Sequence, residues 1–119
     1  MSHGVSRTTK QIGDVGEDVA VQHLVSHGLS VLERNFRVKG GEIDVVCRDG
    51  KTTVFVEVRC RKYGSFGGAA YSITATKQKR LILAARHWLA RHGEGDCRFD
   101  CVLIDDGRLE WIRNAFDAG

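Results

Sequence analysis

Three acids stand where a water-facing strand would more comfortably carry threonine. Glu42, Asp44 and Glu57 lie in GEIDVVCRDGKTTVFVEVRCRK, residues 41–62, among β-branched residues. Asp49-Gly50, between the two β-rich runs, is a hairpin signal of the kind that needs positive φ at its central positions. With those residues as the turn, Arg48 pairs with Lys51, Asp44 opposes Phe55, Glu42 opposes Glu57, Ile43 opposes Val56 and Val45 opposes Val54. Side chains alternate across a strand, so Ile43, Val45, Val54, Val56 and Val58 are expected on one apolar face. Glu42, Asp44, Phe55, Glu57 and Arg59 are expected on the other. Asp44 and Glu57 then become diagonal neighbours roughly 7 to 8 Å apart at the backbone, close enough to reach one cation.

Like charges opposed in a sheet destabilise it, so these acids need a counter-charge or an ion. Mg²⁺ takes hard oxygen ligands and keeps several waters, so one or two carboxylates and substrate phosphates suffice. A metal-acidified water can attack a phosphodiester while the ion stabilises charge at phosphorus. Arg59 shares the face of Glu57 and can act as a fixed cation, though it is a poor proton acceptor. The competing account is a surface ion-pair network of the acids with Arg59 and nearby lysines.

The elements that must hold these residues are punctuated by glycine, since the chain has no proline. Thr8 or Thr9 can cap a helix running to about His27, with Gly28 as its stop. Ile12, Val15, Gly16, Val19, Ala20 and Leu24 fall on one broad face of it, and Glu17 lies at that face's edge. Glu17 is either a third site acid or an acid complementing the helix dipole. Leu29 to Arg37 reads as a strand. RKYGSFGGAAYS is a glycine-rich connection without phosphate-loop spacing, whose Tyr63 and Phe66 could stack on bases or anchor the loop. A second helix is expected from Thr74 or Thr76 to His92, with Leu81, Ala84, Ala85, Trp88 and Leu89 inward and Gly93 as stop. Its early turns carry Lys77, Lys79 and Arg80, which oppose the dipole and hint at an anionic neighbour. Arg98 to Ile104 and Arg108 to Ile112 read as strands joined at Asp106-Gly107, with Asp100 structural.

At 119 residues the chain suits a single domain, 1–119, with residues 1–9 expected to be flexible. Its 42% hydrophobic and 28% charged residues are those of a water-soluble domain, and no apolar run is long enough to span a membrane. The N-terminal residues lack a secretory apolar segment, so the cytoplasm is the expected location. A net charge of +3 permits a polyanionic partner without demanding one. Arg59, Arg61, Lys62, Lys77, Lys79 and Arg80 crowd one third of the chain and form the candidate nucleic-acid surface. Cys47, Cys60, Cys97 and Cys101 form no CxxC pair, which argues for reduced thiols over zinc. The helical histidines His23, His27, His87 and His92 have no metal-ligand spacing to defend.

GEIDVV followed by VFVEVR, in the order α-β-β-β-α-β-β, resembles the restriction-endonuclease-like PD-(D/E)XK superfamily, which includes Holliday junction resolvases. More narrowly, nearly the whole chain resembles the YraN-like family of small bacterial proteins. The matching residues are Gly13, Gly16-Glu17 and Ala20, Arg34-Asn35, Gly41-Glu42-Ile43-Asp44, Phe55 to Arg59, Arg61, Gly67, Lys77 and Arg98-Phe99-Asp100. The resemblance implies an α/β fold with a mixed β-sheet flanked by helices, and Asp44 and Glu57 as metal-binding acids with Glu17 as a third. It implies a Mg²⁺- or Mn²⁺-dependent endonuclease acting on DNA, without a membrane, and a homodimer. Arg59 stands where the superfamily has lysine, and Lys77 can substitute for it or be a solvated helix end. A catalytically inactive nucleic-acid-binding module and a protein interaction domain are the alternatives.

Overall fold

The computed structural model describes residues 9–61, 73–105 and 107–118. Of residues 1–9, expected to be flexible, the first eight lie outside the described residues and Thr9 opens a helix; Lys62 and the loop aromatics Tyr63 and Phe66 also lie outside. Helix α1 spans Thr9–Ser26, and strands β1 Ser30–Val38, β2 Gly41–Asp49 and β3 Thr52–Arg61 follow. Helix α2, Ala75–His92, leads to β4 Cys97–Asp105 and β5 Arg108–Phe116. The expected order α-β-β-β-α-β-β is therefore observed, as a mixed α/β fold.

The five strands form one sheet in sequence order, antiparallel except for the parallel β3–β4 pair. Parallel neighbours need a long crossover, and α2 lies within it. The helices cover opposite faces. Leu81, Ala84, Ala85, Trp88 and Leu89 of α2 pack with Phe36, Ile43, Val46, Phe55, Phe99 and Leu103. Ala20 and Leu24 of α1 pack with Val45, Cys47, Val54, Val56 and Val102. Burial on both sides explains why the centre of β3, Val54-Phe55-Val56, is apolar without alternation.

The helix ends follow local chemistry. Gly28 at φ 95° closes α1, with Gly28 N–H donating to Val25 O and Leu29 N–H to Leu24 O. That pair of bonds is a Schellman motif, and Leu24 and Leu29 bury together. Thr74 caps α2 by accepting from Lys77 N–H, and Gly93 N–H donates to Leu89 O at the far end. The five inward residues expected on α2 are its buried ones.

The inward face of α1 differs from expectation. Val15 and Val19 are 42% and 43% exposed, whereas Gly16, Glu17, Ala20 and Leu24 are buried. Gly16 accounts for this rotation: a β-carbon there would collide with Cys60 Sγ of β3. The helix approaches the sheet through its smallest residue, and the neighbouring Glu17 is carried inward with it.

The β2–β3 hairpin also differs from expectation. The observed pairs are Val45 with Val56, Val46 with Phe55, Cys47 with Val54, Arg48 with Thr53 and Asp49 with Thr52. Gly50 and Lys51 are the turn, and only Gly50 has positive φ, at 62°. A turn of this sign pattern places glycine at its first central position, so Asp49 remains the last strand residue. The register moves by an even number of residues, so the shift by itself carries no side chain to the other face.

The expected single apolar face is corrected as well. Ile43 packs on the α2 side, while Val45, Val54 and Val56 pack on the α1 side. On β1, Phe36 goes to α2 while Arg34 bonds to α1. Both strands change face at Asn35 and Asp44, which lie between the paired Arg34–Val45 and Phe36–Ile43. Asn35 sits at φ 55°, the left-handed region that asparagine tolerates better than most residues. A left-handed residue within a strand breaks the alternation, so Asp44 is presented at the switch point.

Candidate metal centre

Val45 and Val56 are the last paired residues of the β2–β3 ladder at this end. One step beyond, the register sets Asp44 opposite Glu57 in place of Phe55. Asp44 Oδ2 accepts from Val58 N–H at 2.8 Å, substituting a side-chain oxygen for a ladder carbonyl. Glu57 is 5% exposed and follows Phe55 on the α2 side of β3. Strand β3, locked to β4 from Thr53 to Arg61, fixes its position.

The two acids are electrostatically coupled. The Asp44 carboxyl is pushed up to about 7, first by burial away from water and next by the Glu57 charge. Glu17 adds to the rise, and the Val58 N–H bond opposes it. Glu57 is compensated: Lys77 Nζ lies 3.1 Å and Arg59 Nη1 3.7 Å from its Oε2. Lys77 reaches it from the first turn of α2, which the Thr74 cap places over the end of β3. Cation and acid pair therefore share one pocket, with Asp44 carrying the uncompensated charge.

Glu17 faces the same region from α1, 6% exposed. Its Oε1 accepts from Arg34 Nε and from Asn35 Nδ2, each at 3.0 Å. Arg34 also reaches Asp18 Oδ1 at 2.7 Å. Among the described residues no three His, Cys, Asp or Glu side chains are grouped closely enough to hold an ion. Glu17 thus contributes a field at Asp44 while its carboxylate is tied to β1.

Glu42 does not join Asp44 and Glu57. It lies 3.9 Å from Arg37 and 3.5 Å from Arg80. Lys79 and Arg80 are exposed on α2, and Arg61 ends β3 opposite Asp105. Asp100 is structural, as expected: it accepts from Arg98 Nε, Trp111 Nε1 and Asn114 N–H. The last bond bridges the irregularity in β4–β5 pairing between Phe99 and Cys101. Cys47 and Cys101 are buried, and Cys60 and Cys97 are exposed. His23 and His27 lie against Trp111, and His92 stacks on Trp88.

Sequence reasoning passed over Arg34 and Asn35 as site residues. The available signal was an asparagine inside a strand pattern, a residue type that accepts positive φ. Its pairing with Glu17 crosses from sheet to helix, which strand periodicity does not encode.

The donor set suits a hard divalent cation. Two carboxylates supply oxygen, and burial together with the Glu57 charge raises the carboxyl of Asp44.

The chain matches the profile described as "Uncharacterised protein family UPF0102" over residues 16–104. It belongs to that family. A UPF0102 protein of Dechloromonas aromatica is 59% identical over 111 residues, covering 93% of this chain and 92% of the relative. One from Methylobacillus flagellatus is 51% identical over 112 residues, covering 92% and 99%. The UPF0102 protein YraN of Salmonella arizonae is 50% identical over 114 residues, covering 92% and 87%. The UPF0102 match spans Glu17, Arg34, Asn35, Asp44, Glu57, Arg59 and Lys77, so every side chain of the pocket lies within it. No helix of the described residues is long and apolar enough to cross a membrane.

Proposed function

We propose that this UPF0102 chain is a nucleic-acid-binding protein with a nuclease-like site on a restriction-endonuclease-like core, hydrolysing phosphodiesters in DNA with a divalent metal. The observation that carries this reading is the placement of Asp44 opposite Glu57 at the open end of β2 and β3, where burial and the Glu57 charge both raise the Asp44 carboxyl. A fold that maintains such repulsion in a pocket has a use for the missing positive charge.

Asp44 and Glu57 would hold Mg²⁺ or Mn²⁺, with waters and substrate phosphate completing the shell. When bound, the ion supplies an acidified water and charge stabilisation at phosphorus. Lys77 and Arg59, both on Glu57, supply fixed positive charge to an incoming phosphate. Lys77 also offers the proton-donating ammonium that Arg59 cannot replace. Arg61, Lys62, Lys79 and Arg80 add positive charge for the nucleic-acid backbone. Glu17, clasped by Arg34 and Asn35, tunes the field at Asp44.

A second reading, a binding module of the same fold without efficient catalysis, is favoured by Arg59 at the position where the superfamily carries lysine. A cleavage panel over linear, single-stranded, flapped and four-way DNA with Mg²⁺ or Mn²⁺ separates the two, with Asp44→Asn as control. Metal-dependent cleavage by wild type, lost in the variant, is the expected outcome. Binding without cleavage of any substrate selects the inactive module, and absence of any nucleic-acid binding leaves a protein interaction domain.

A further inference from the structure

We propose that the outer face of α2, together with the β1–β2 turn, is an extended contact surface for a sugar-phosphate backbone, with Lys39 and Arg86 as members beside Lys79 and Arg80. The inference rests on the nucleic-acid reading above and adds where the strand runs beyond the acid pocket.

Helix α2, ATKQKRLILAARHWLARH, contains five Lys or Arg residues and no acid. Its first turn also lacks the acid that a helix dipole favours, so Lys77, Lys79 and Arg80 gain nothing from the dipole there. Docking on the sheet uses Leu81, Ala84, Ala85, Trp88 and Leu89, which leaves Lys79, Leu83 and Arg86 on the outward side. Lys79 and Arg86 are exposed and form no ion pair with the described residues.

The acids near this face are already engaged. Glu57 holds Lys77, Glu42 lies between Arg37 and Arg80, and Glu33 accepts from Trp88 Nε1. What remains unbalanced is positive.

The β1–β2 turn joins the face because glycine lets it press against the helix. A β-carbon on Gly41 would stand 2.5 Å from Arg80 O, and one on Gly40 would stand 3.2 Å from Leu83 Cδ2. Lys39, exposed and without an ion pair among the described residues, is therefore fixed beside the middle of α2.

The spacing fits a nucleic-acid strand. Lys79 and Arg86 are seven residues apart, roughly 10.5 Å along a helix axis. Side chains as long as lysine and arginine can reach two separate phosphates of one strand from positions that far apart. Leu83, 38% exposed between them, offers an apolar contact to sugar. An anionic lipid surface would share the charge complementarity, but an interfacial helix needs a broad apolar stripe facing outward. The apolar stripe of α2 is buried against the sheet.

The test is fluorescence anisotropy with labelled duplex DNA in chelator, between about 50 and 200 mM salt. Wild type is compared with Lys39→Ala/Arg86→Ala. Both sites are exposed, so the melting temperature is expected to stay unchanged. The slope of log K against log salt is expected to fall by about 1.8, because two phosphates are no longer neutralised, with weaker binding at each salt concentration. A folded double variant with the wild-type slope overturns this surface while leaving the pocket reading intact. Wild type that binds no nucleic acid overturns both. Phosphatidylserine vesicles form a third arm: loss of vesicle binding alone in the variant, with DNA binding intact, assigns the face to lipid and overturns the proposal.

Discussion

Burial, and next the Glu57 charge, push the Asp44 carboxyl up to about 7 from the 3.8 of a free aspartate. The consequence for stability has a definite sign. A carboxyl whose folded pKa is raised stabilises the fold below the unfolded value and loses that contribution as pH rises through the folded value. In metal-free buffer, wild type should therefore lose stability relative to Asp44→Asn between pH 3.8 and about 7. Asparagine keeps the oxygen that accepts from Val58 N–H and removes the charge. The variant should melt higher than wild type at pH 8, on the order of 5 °C, and the gap should close below about pH 4. A gap independent of pH, measured by thermal melts across that range, would show that Asp44 titrates normally. At this scale the sequence was partly informative: it singled out the acids at 44 and 57, but the register that sets them opposite each other and the face change at Asp44 were not in its pattern. The placement of Glu17 was only partly legible, since its bonds to Arg34 and Asn35 depend on how α1 rolls against the sheet.

Elements obey local rules until tertiary contact overrides them. The caps at Gly28, Thr74 and Gly93 and the buried stripe of α2 were readable because they depend on residues within a few turns. The roll of α1 was not readable, because it is set by Gly16 against Cys60, residues far apart in the chain. The hairpin register was misplaced by assigning both turn positions to Asp49-Gly50 when Gly50 alone has positive φ. Gly41 shows the same long-range dependence: its conformation suits any residue, yet the Arg80 carbonyl occupies the space of a side chain. Gly41→Ala should cost about 2 kcal/mol by forcing α2 away from β2. Urea denaturation measures this, and a loss below about 0.5 kcal/mol would show that the helix is not seated as described.

The whole molecule is a two-faced sheet whose ladder opens where β2 and β3 part, and each covering helix delivers charge to that opening. Helix α1 brings Glu17, and α2 brings Lys77. The mixed α/β class was legible from the order of the elements, whereas the burial of β3 on both faces was not, because its residues read as one apolar and one acidic face. The face change at Asn35 and Asp44 was hidden, since period-two patterns assume an unbroken strand. That change presents Asp44 at the site, and it supports the central claim that Asp44 and Glu57 form a cation pocket. The most direct measurement is calorimetric titration of Mn²⁺ into wild type and Asp44→Asn at pH 8, where the Asp44 carboxylate is ionised. Saturable binding by wild type that disappears in the folded variant is the predicted result. Equal affinity in the two proteins, or no binding by wild type, would contradict it.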